Sequence, residues 1–205
     1  MTLERIRLAG RRLLDPIVCL LARIGVAPSA ITLAGLAVTV VAAFLAWKGS
    51  YLASAAVLGG GSLLDAVDGG VARKRNRVSR AGAVLDSSCD RVSEFLMYSA
   101  LLTGAACRDF GVILYLAPAA LCGSFMVSYT RARSEGVGIP CEVGFFTRTE
   151  RLVLMVLALA VTPAAGNARP VVWMLALVSV GTWLTAIQRL SCVFSGDGSS
   201  LGGRD

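Results

Sequence analysis

The sequence predicts an all-α integral membrane protein, with six transmembrane helices preceded by an amphipathic helix at the membrane interface. Three observations predict it. Of 205 residues, 56% are hydrophobic, and the mean hydropathy of +0.71 is too high for a soluble domain. Apolar segments long enough to cross a bilayer follow one another almost without interruption. Basic residues gather in alternate connections, as the positive-inside rule requires.

The elements follow in order. In residues 1–27, Leu3, Ile6, Leu13, Ile17, Leu20 and Ile24 recur at roughly helical spacing, with Arg5, Arg7, Arg11, Arg12 and Arg23 interleaved. That pattern suits a helix lying in the interface. A signal peptide would have an uninterrupted apolar run, and Asp15 with the arginines breaks a span. Six spans are expected at 29–47, 51–72, 82–106, 110–130, 150–164 and 170–190, the fifth being the shortest. They form one domain, 1–194. The Gly/Ser-rich stretch 195–205 reads as a flexible tail.

Charge sets the orientation. The amino-terminal arginines, Arg73, Lys74, Arg75, Arg77 and Arg80, then Arg131, Arg133, Arg148 and Arg151, and finally Arg189 and Arg204 fall on one side. The other side has Lys48, Arg108 and Arg169. The basic side is therefore expected in the cytoplasm, with the protein in the cell (plasma) membrane. The net charge of +7 is read as topology and attraction to anionic lipid headgroups, not as a nucleic-acid footprint. The six cysteines form no C-x-x-C pair, so neither a disulfide framework nor a zinc site is expected. The chain has no histidine. That excludes a Ser-His-Asp triad, a His base and a His metal ligand.

Four of the thirteen acids fall in one window, with the pattern D-x-x-D-G-x-x-A-R, eight residues, then G-x-x-x-D-x-x-x-D. The residues are Asp65, Asp68, Gly69, Ala72, Arg73, Gly82, Asp86 and Asp90. Spacings of three and four put each set on one helix face. A short basic connection brings the two faces to one depth. Carboxylates at membrane depth are costly, and four together repel. Two divalent ions would offset their charge. Ligation by oxygen alone points to Mg²⁺ or Mn²⁺, in a two-metal arrangement suited to phosphoryl transfer. Gly69, Ala72 and Gly82 would admit a bulky ligand, or serve helix packing. Interhelical polar contacts, or an ion or proton pathway, are the other readings of the aspartates.

All eight positions match the signature of the CDP-alcohol phosphotransferase family, which the chain resembles. The resemblance implies transfer of a phosphatidyl group from CDP-diacylglycerol to an alcohol, with release of CMP, by a homodimer. It implies that Asp65, Asp68, Asp86 and Asp90 hold the metals and that Asp90 also takes the hydroxyl proton. Gly69, Ala72, Arg73, Ser79 and Gly82 would hold the CDP-lipid. Residues Ser29, Ala30, Ile31 and Thr32 resemble the family's entry into the first span, where free helix-start N–H groups could meet a pyrophosphate; Ser29 could equally be a simple cap. Ser128, Arg131, Arg151 and Arg189 resemble the acceptor-phosphate site of the prokaryotic phosphatidylinositol-phosphate synthase branch. Arg131 stands where Lys is usual, which keeps charge but not geometry. The acceptor implied is a phosphorylated polyol such as inositol phosphate, with glycerol 3-phosphate as the alternative. The bland reading of the arginines is topology alone. A divalent-cation or proton transporter would need acids spread over several spans, whereas here they lie on two.

Overall fold

The computed structural model describes residue 23 and residues 27–74, 79–139, 141 and 143–201, with side chains described except in 63–74 and 196–201. The expected interfacial helix, 1–27, lies almost wholly outside the described residues.

Helix α1 (Pro28–Lys48) begins with Pro28 in its first turn, where a missing N–H costs no helical hydrogen bond, and ends at Gly49 in the left-handed region, φ +87°. Helix α2 (Tyr51–Lys74) follows directly. Helix α3 (Arg80–Thr103) is capped by Ser79, whose hydroxyl accepts from the Gly82 N–H at 3.0 Å. Gly104 separates α3 from the short α4 (Ala105–Asp109). A Cβ at Gly104 would overlap the Ala100 carbonyl and the Trp47 backbone, so the chain passes tightly against the end of α1. Helices α5 (Ile113–Gly136), α6 (Arg148–Ala165) and α7 (Arg169–Leu201) complete the described chain.

The six long helices close into a ring. α1 packs on α2, α2 on α6, α6 on α7, α7 on α5, α5 on α3, and α3 on α1. Contacts inside the ring use small and hydroxylated residues, including Ala42, Ala46, Ser54, Ala117, Ala120, Ser124 and Thr182. The large apolar side chains of the same helices point outward: Phe44 and Trp47 on α1, Tyr115 on α5, Trp173, Val180 and Ile187 on α7. This is the distribution expected when lipid rather than water is the outer solvent, since small residues let helices approach. A Cβ at Gly123, for example, would overlap the Thr182 hydroxyl where α5 meets α7. The buried hydroxyls are satisfied locally or across helices: Thr182 donates to Val178 O at 2.7 Å, Ser54 to Ala42 O at 2.8 Å and Ser179 to Leu116 O at 3.2 Å.

Three helices, over Pro28–Lys48, Ile113–Gly136 and Arg169–Ser195, are long and apolar enough to cross a membrane among the described residues. Several expectations are corrected. The fourth segment does not stop at Thr130; its helix continues to Gly136, so Arg131, Arg133 and Glu135 are helical rather than in a loop. Helix α7 runs on through Leu201, into the stretch expected as a tail. The third segment breaks at Gly104, short of its expected end. Cys141 and Cys192, expected as free thiols, form a disulfide with Cα atoms 6.3 Å apart.

Candidate active site

A cleft opens inside the ring, lined by α1 (Thr32, Leu36, Thr39), α2 (Leu58, Gly61, Ser62), α3 (Asp90, Glu94, Met97, Tyr98) and α6 (Arg148, Arg151, Met155). Its charged groups come from two helix faces. On α3, Asp86, Asp90 and Glu94 recur every four residues and so share a stripe. On α6, Arg148 and Arg151 are three apart in the first turn. The two stripes meet in register. Arg148 Nη2 lies 2.7 Å from Asp90 Oδ1. Arg151 reaches Glu94 Oε1 with Nη2 at 2.6 Å and Nε at 2.8 Å.

The two pairs differ in character. Arg151 is 3% exposed, and its Nη1 also donates to Phe146 O at 3.1 Å. A buried guanidinium with this many charge-assisted hydrogen bonds is fixed in place. The Arg148 side chain is 35% exposed at the mouth of the cleft. The start of α6 is further ordered by Thr147, whose hydroxyl donates to the Glu150 carboxylate three residues on.

Arg189 is buried on α7. It donates through Nε to Val143 O at 2.9 Å and through Nη1 to Val127 O at 2.5 Å. These bonds tie α5 and the connection that follows it to α7. The same connection is fixed by Phe146 N donating to Thr185 Oγ1 at 3.2 Å and by the disulfide. Gly144 lies at φ +110° with Thr185 packed where its Cβ would be, so this position needs glycine on two counts.

The expected site residues are placed as follows. Ile31 and Thr32 are buried in the first turns of α1, and Thr32 reaches the cleft. Ser29 and Ala30 are exposed, and Ser29 does not cap the helix, because Ala27 holds the cap position. Ser79 and Gly82 bond to each other at the start of α3. Asp86 is half-buried and the Asp90 side chain 13% exposed. Asp65, Asp68, Gly69, Ala72 and Arg73 lie on the last turns of α2, and their side chains are outside those described. Arg131 is exposed and paired with Glu135 at 2.8 Å, while Ser128 is half-buried one turn earlier. The three expected acceptor arginines come from three helices, and of them Arg151 lines the cleft.

The donor set suits a hard divalent cation, because carboxylate oxygens are the ligands the motif offers and histidine is absent. Of the four motif aspartates, Asp86 and Asp90 are the two whose side chains are described. Among the described residues no three metal-ligating side chains converge. Glu94 and Arg148 were not read as site residues from sequence. The signal was present: Glu94 extends the Asp86–Asp90 stripe by one turn, and Arg148 precedes Arg151 by one.

Comparison with known proteins places this arrangement. Phosphatidylinositol phosphate synthase of Mycobacterium bovis is 34% identical over 203 residues, covering 94% of this chain and 91% of the relative. The crystal structure of Mycobacterium tuberculosis phosphatidylinositol phosphate synthase with CDP-DAG bound matches with a TM-score of 0.80 at 32% identity, covering 89% of this chain and 94% of that one. The same enzyme in complex with manganese and citrate matches with a TM-score of 0.78 at 31% identity, over 87% and 88% of the two chains. A model of the CDP-alcohol phosphatidyltransferase family matches residues 25–188, and with it the signature, the ring of helices and the charged cleft agree: this chain belongs to the CDP-alcohol phosphatidyltransferase family.

Proposed function

We propose that this enzyme transfers the phosphatidyl group of CDP-diacylglycerol to a hydroxyl of inositol phosphate and releases CMP. The observation that supports the acceptor is the meeting of α3 and α6 in one cleft. There a carboxylate, Asp90, lies beside the guanidinium groups of Arg148 and Arg151, and Arg151 is buried and held by protein partners. Fixed arginines can hold a phosphate monoester and so orient the rest of the acceptor. The CDP-DAG complex of the mycobacterial relative supports the lipid donor.

The acceptor oxygen attacks the phosphorus attached to diacylglycerol. The bond from that phosphorus to the bridging oxygen breaks, and CMP leaves with the electron pair. Asp90 takes the hydroxyl proton. Asp65, Asp68, Asp86 and Asp90 would hold two Mg²⁺ or Mn²⁺ ions, which when bound offset the charge of the pyrophosphate. Thr32 in the cleft and the N-terminal turns of α1 and α3, with Ser79 and Gly82, would border the CDP group, together with Gly69, Ala72 and Arg73. Arg151 and Arg189, with Ser128 and Arg131, would hold the acceptor phosphate.

We read all six long helices as spans. α2, α3 and α6 are the ones that carry the site's charges, which lowers their apolarity. The basic connections put the active site at the cytoplasmic face of the cell membrane, and the enzyme is read as a homodimer.

The test is CMP release by purified protein with CDP-diacylglycerol, Mg²⁺ and a panel of acceptors. Inositol phosphate should be used well, and free inositol and glycerol poorly. Arg151→Ala and Arg189→Ala should raise KM for inositol phosphate about tenfold to a hundredfold, the scale of a lost charge-assisted hydrogen bond, with KM for CDP-diacylglycerol changed far less. Arg151→Lys guards against loss of folding. Equal use of inositol and inositol phosphate would remove these arginines from acceptor recognition, and preference for glycerol 3-phosphate would reassign the acceptor.

A further inference from the structure

The register between α3 and α6 gives the two arginines different tasks. Arg151 is locked by Glu94 and Phe146 O. Arg148 is held by the carboxylate that the proposed metal site needs. Its Nη2 at 2.7 Å from Asp90 Oδ1 takes up one of the two oxygens a divalent ion would use. Arg91 is also near, with Nη1 3.8 Å from Asp90 Oδ2, but it donates to Ser87 O at 2.7 Å within its own helix and is thereby drawn to its own backbone. A guanidinium and a divalent cation on the same carboxylate repel strongly at this separation, and the cleft is partly shielded from water. Arg148 is also the more exposed partner, on a long side chain rooted in the first turn of α6, so it can leave without moving a helix.

We propose that Arg148 is a positioning residue that competes with the metal for Asp90: it holds the carboxylate before the ion arrives and, once displaced, engages a substrate phosphate at the mouth of the cleft. The inference rests on the metal site proposed above. It goes beyond that site in coupling metal loading to phosphate binding through one side chain. Arg151, one turn further along α6, stays fixed throughout, so the displaced guanidinium arrives beside a phosphate-binding group already in place. The phosphate is either the monoester of the acceptor or the pyrophosphate of the CDP-lipid. Both present the same oxygens to a guanidinium.

The experiment is Mn²⁺ titration of the purified, substrate-free full-length protein, followed by the electron paramagnetic resonance of free Mn²⁺. Wild type, Arg148→Ala, Arg148→Met, Arg148→Lys and Asp90→Asn are compared. Arg148→Ala and Arg148→Met should bind Mn²⁺ several-fold more tightly than wild type, and Arg148→Lys should lie close to wild type. A tighter site cannot result from misfolding, so the expected result is not confused with loss of structure. In steady-state assays Arg148→Ala should raise one KM: that for inositol phosphate if the monoester is the target, that for CDP-diacylglycerol if the pyrophosphate is. Unchanged or weaker Mn²⁺ binding in both Arg148→Ala and Arg148→Met overturns the proposal while leaving the metal site standing, provided Asp90→Asn weakens binding. Failure of Asp90→Asn to weaken Mn²⁺ binding overturns both. Tighter Mn²⁺ binding with neither KM changed overturns the phosphate half.

Discussion

Replacing Asp90 by Asn should slow transfer by about 100-fold or more, the usual contribution of a general base, with CDP-diacylglycerol still bound. The reasoning starts from what the chain lacks. There is no histidine, so the hydroxyl proton must go to another group, and among the described residues Asp90 is the motif carboxylate placed in the cleft beside Arg148 and Arg151. Asn keeps the size and one carbonyl oxygen but neither the charge nor the proton affinity. Turnover at saturating substrate, together with equilibrium binding of CDP-diacylglycerol, separates a chemical defect from a binding defect. Near-normal turnover in this variant would move the base elsewhere.

Metal removal should have an effect at least as large. EDTA should abolish CMP release, and Mg²⁺ or Mn²⁺ added in excess should restore it. On the proposed reading four carboxylates meet a substrate that is itself anionic, and the arginines of the cleft are already engaged: Arg151 with Glu94, Arg148 with Asp90. Without divalent ions the donor would meet net negative charge at the point where its pyrophosphate must lie. Full activity in metal-free buffer would defeat the two-ion arrangement, and a titration of rate against Mn²⁺ would show whether one ion or two are needed.

Much of this was legible in the sequence because it is local. Asp86 and Asp90 fall on one face by spacing alone, and the apolar segments marked each of the six long helices. Helix ends were less legible. Apolarity marks the part of a helix that lipid covers, whereas the hydrogen-bond ladder continues as long as the polar residues tolerate it. At the end of α5 the Arg131–Glu135 pair, four residues apart, supports that continuation, so the helix outlasts its apolar stretch. The pairing of Glu94 with Arg151 spans 57 residues, and no local pattern encodes it. The same holds for Cys141 and Cys192. Six cysteines without a short-range motif do not say which two will meet. Arg148 was visible only as one charge among many on the basic side, because its role depends on how α6 is rotated against α3.

The disulfide has a topological consequence. By joining residues 51 apart, it makes the segment from Cys141 to Cys192 a closed covalent loop. That loop contains the whole of α6 and most of α7, and hence Arg148, Arg151 and Arg189. The exposed turn between the two helices, at Gly166, lies inside the loop. A single cut there leaves both halves of the molecule joined through sulfur, and only reduction releases them. The arginine-bearing part of the cleft is thus a tethered unit, whose continuity does not depend on every peptide bond within it.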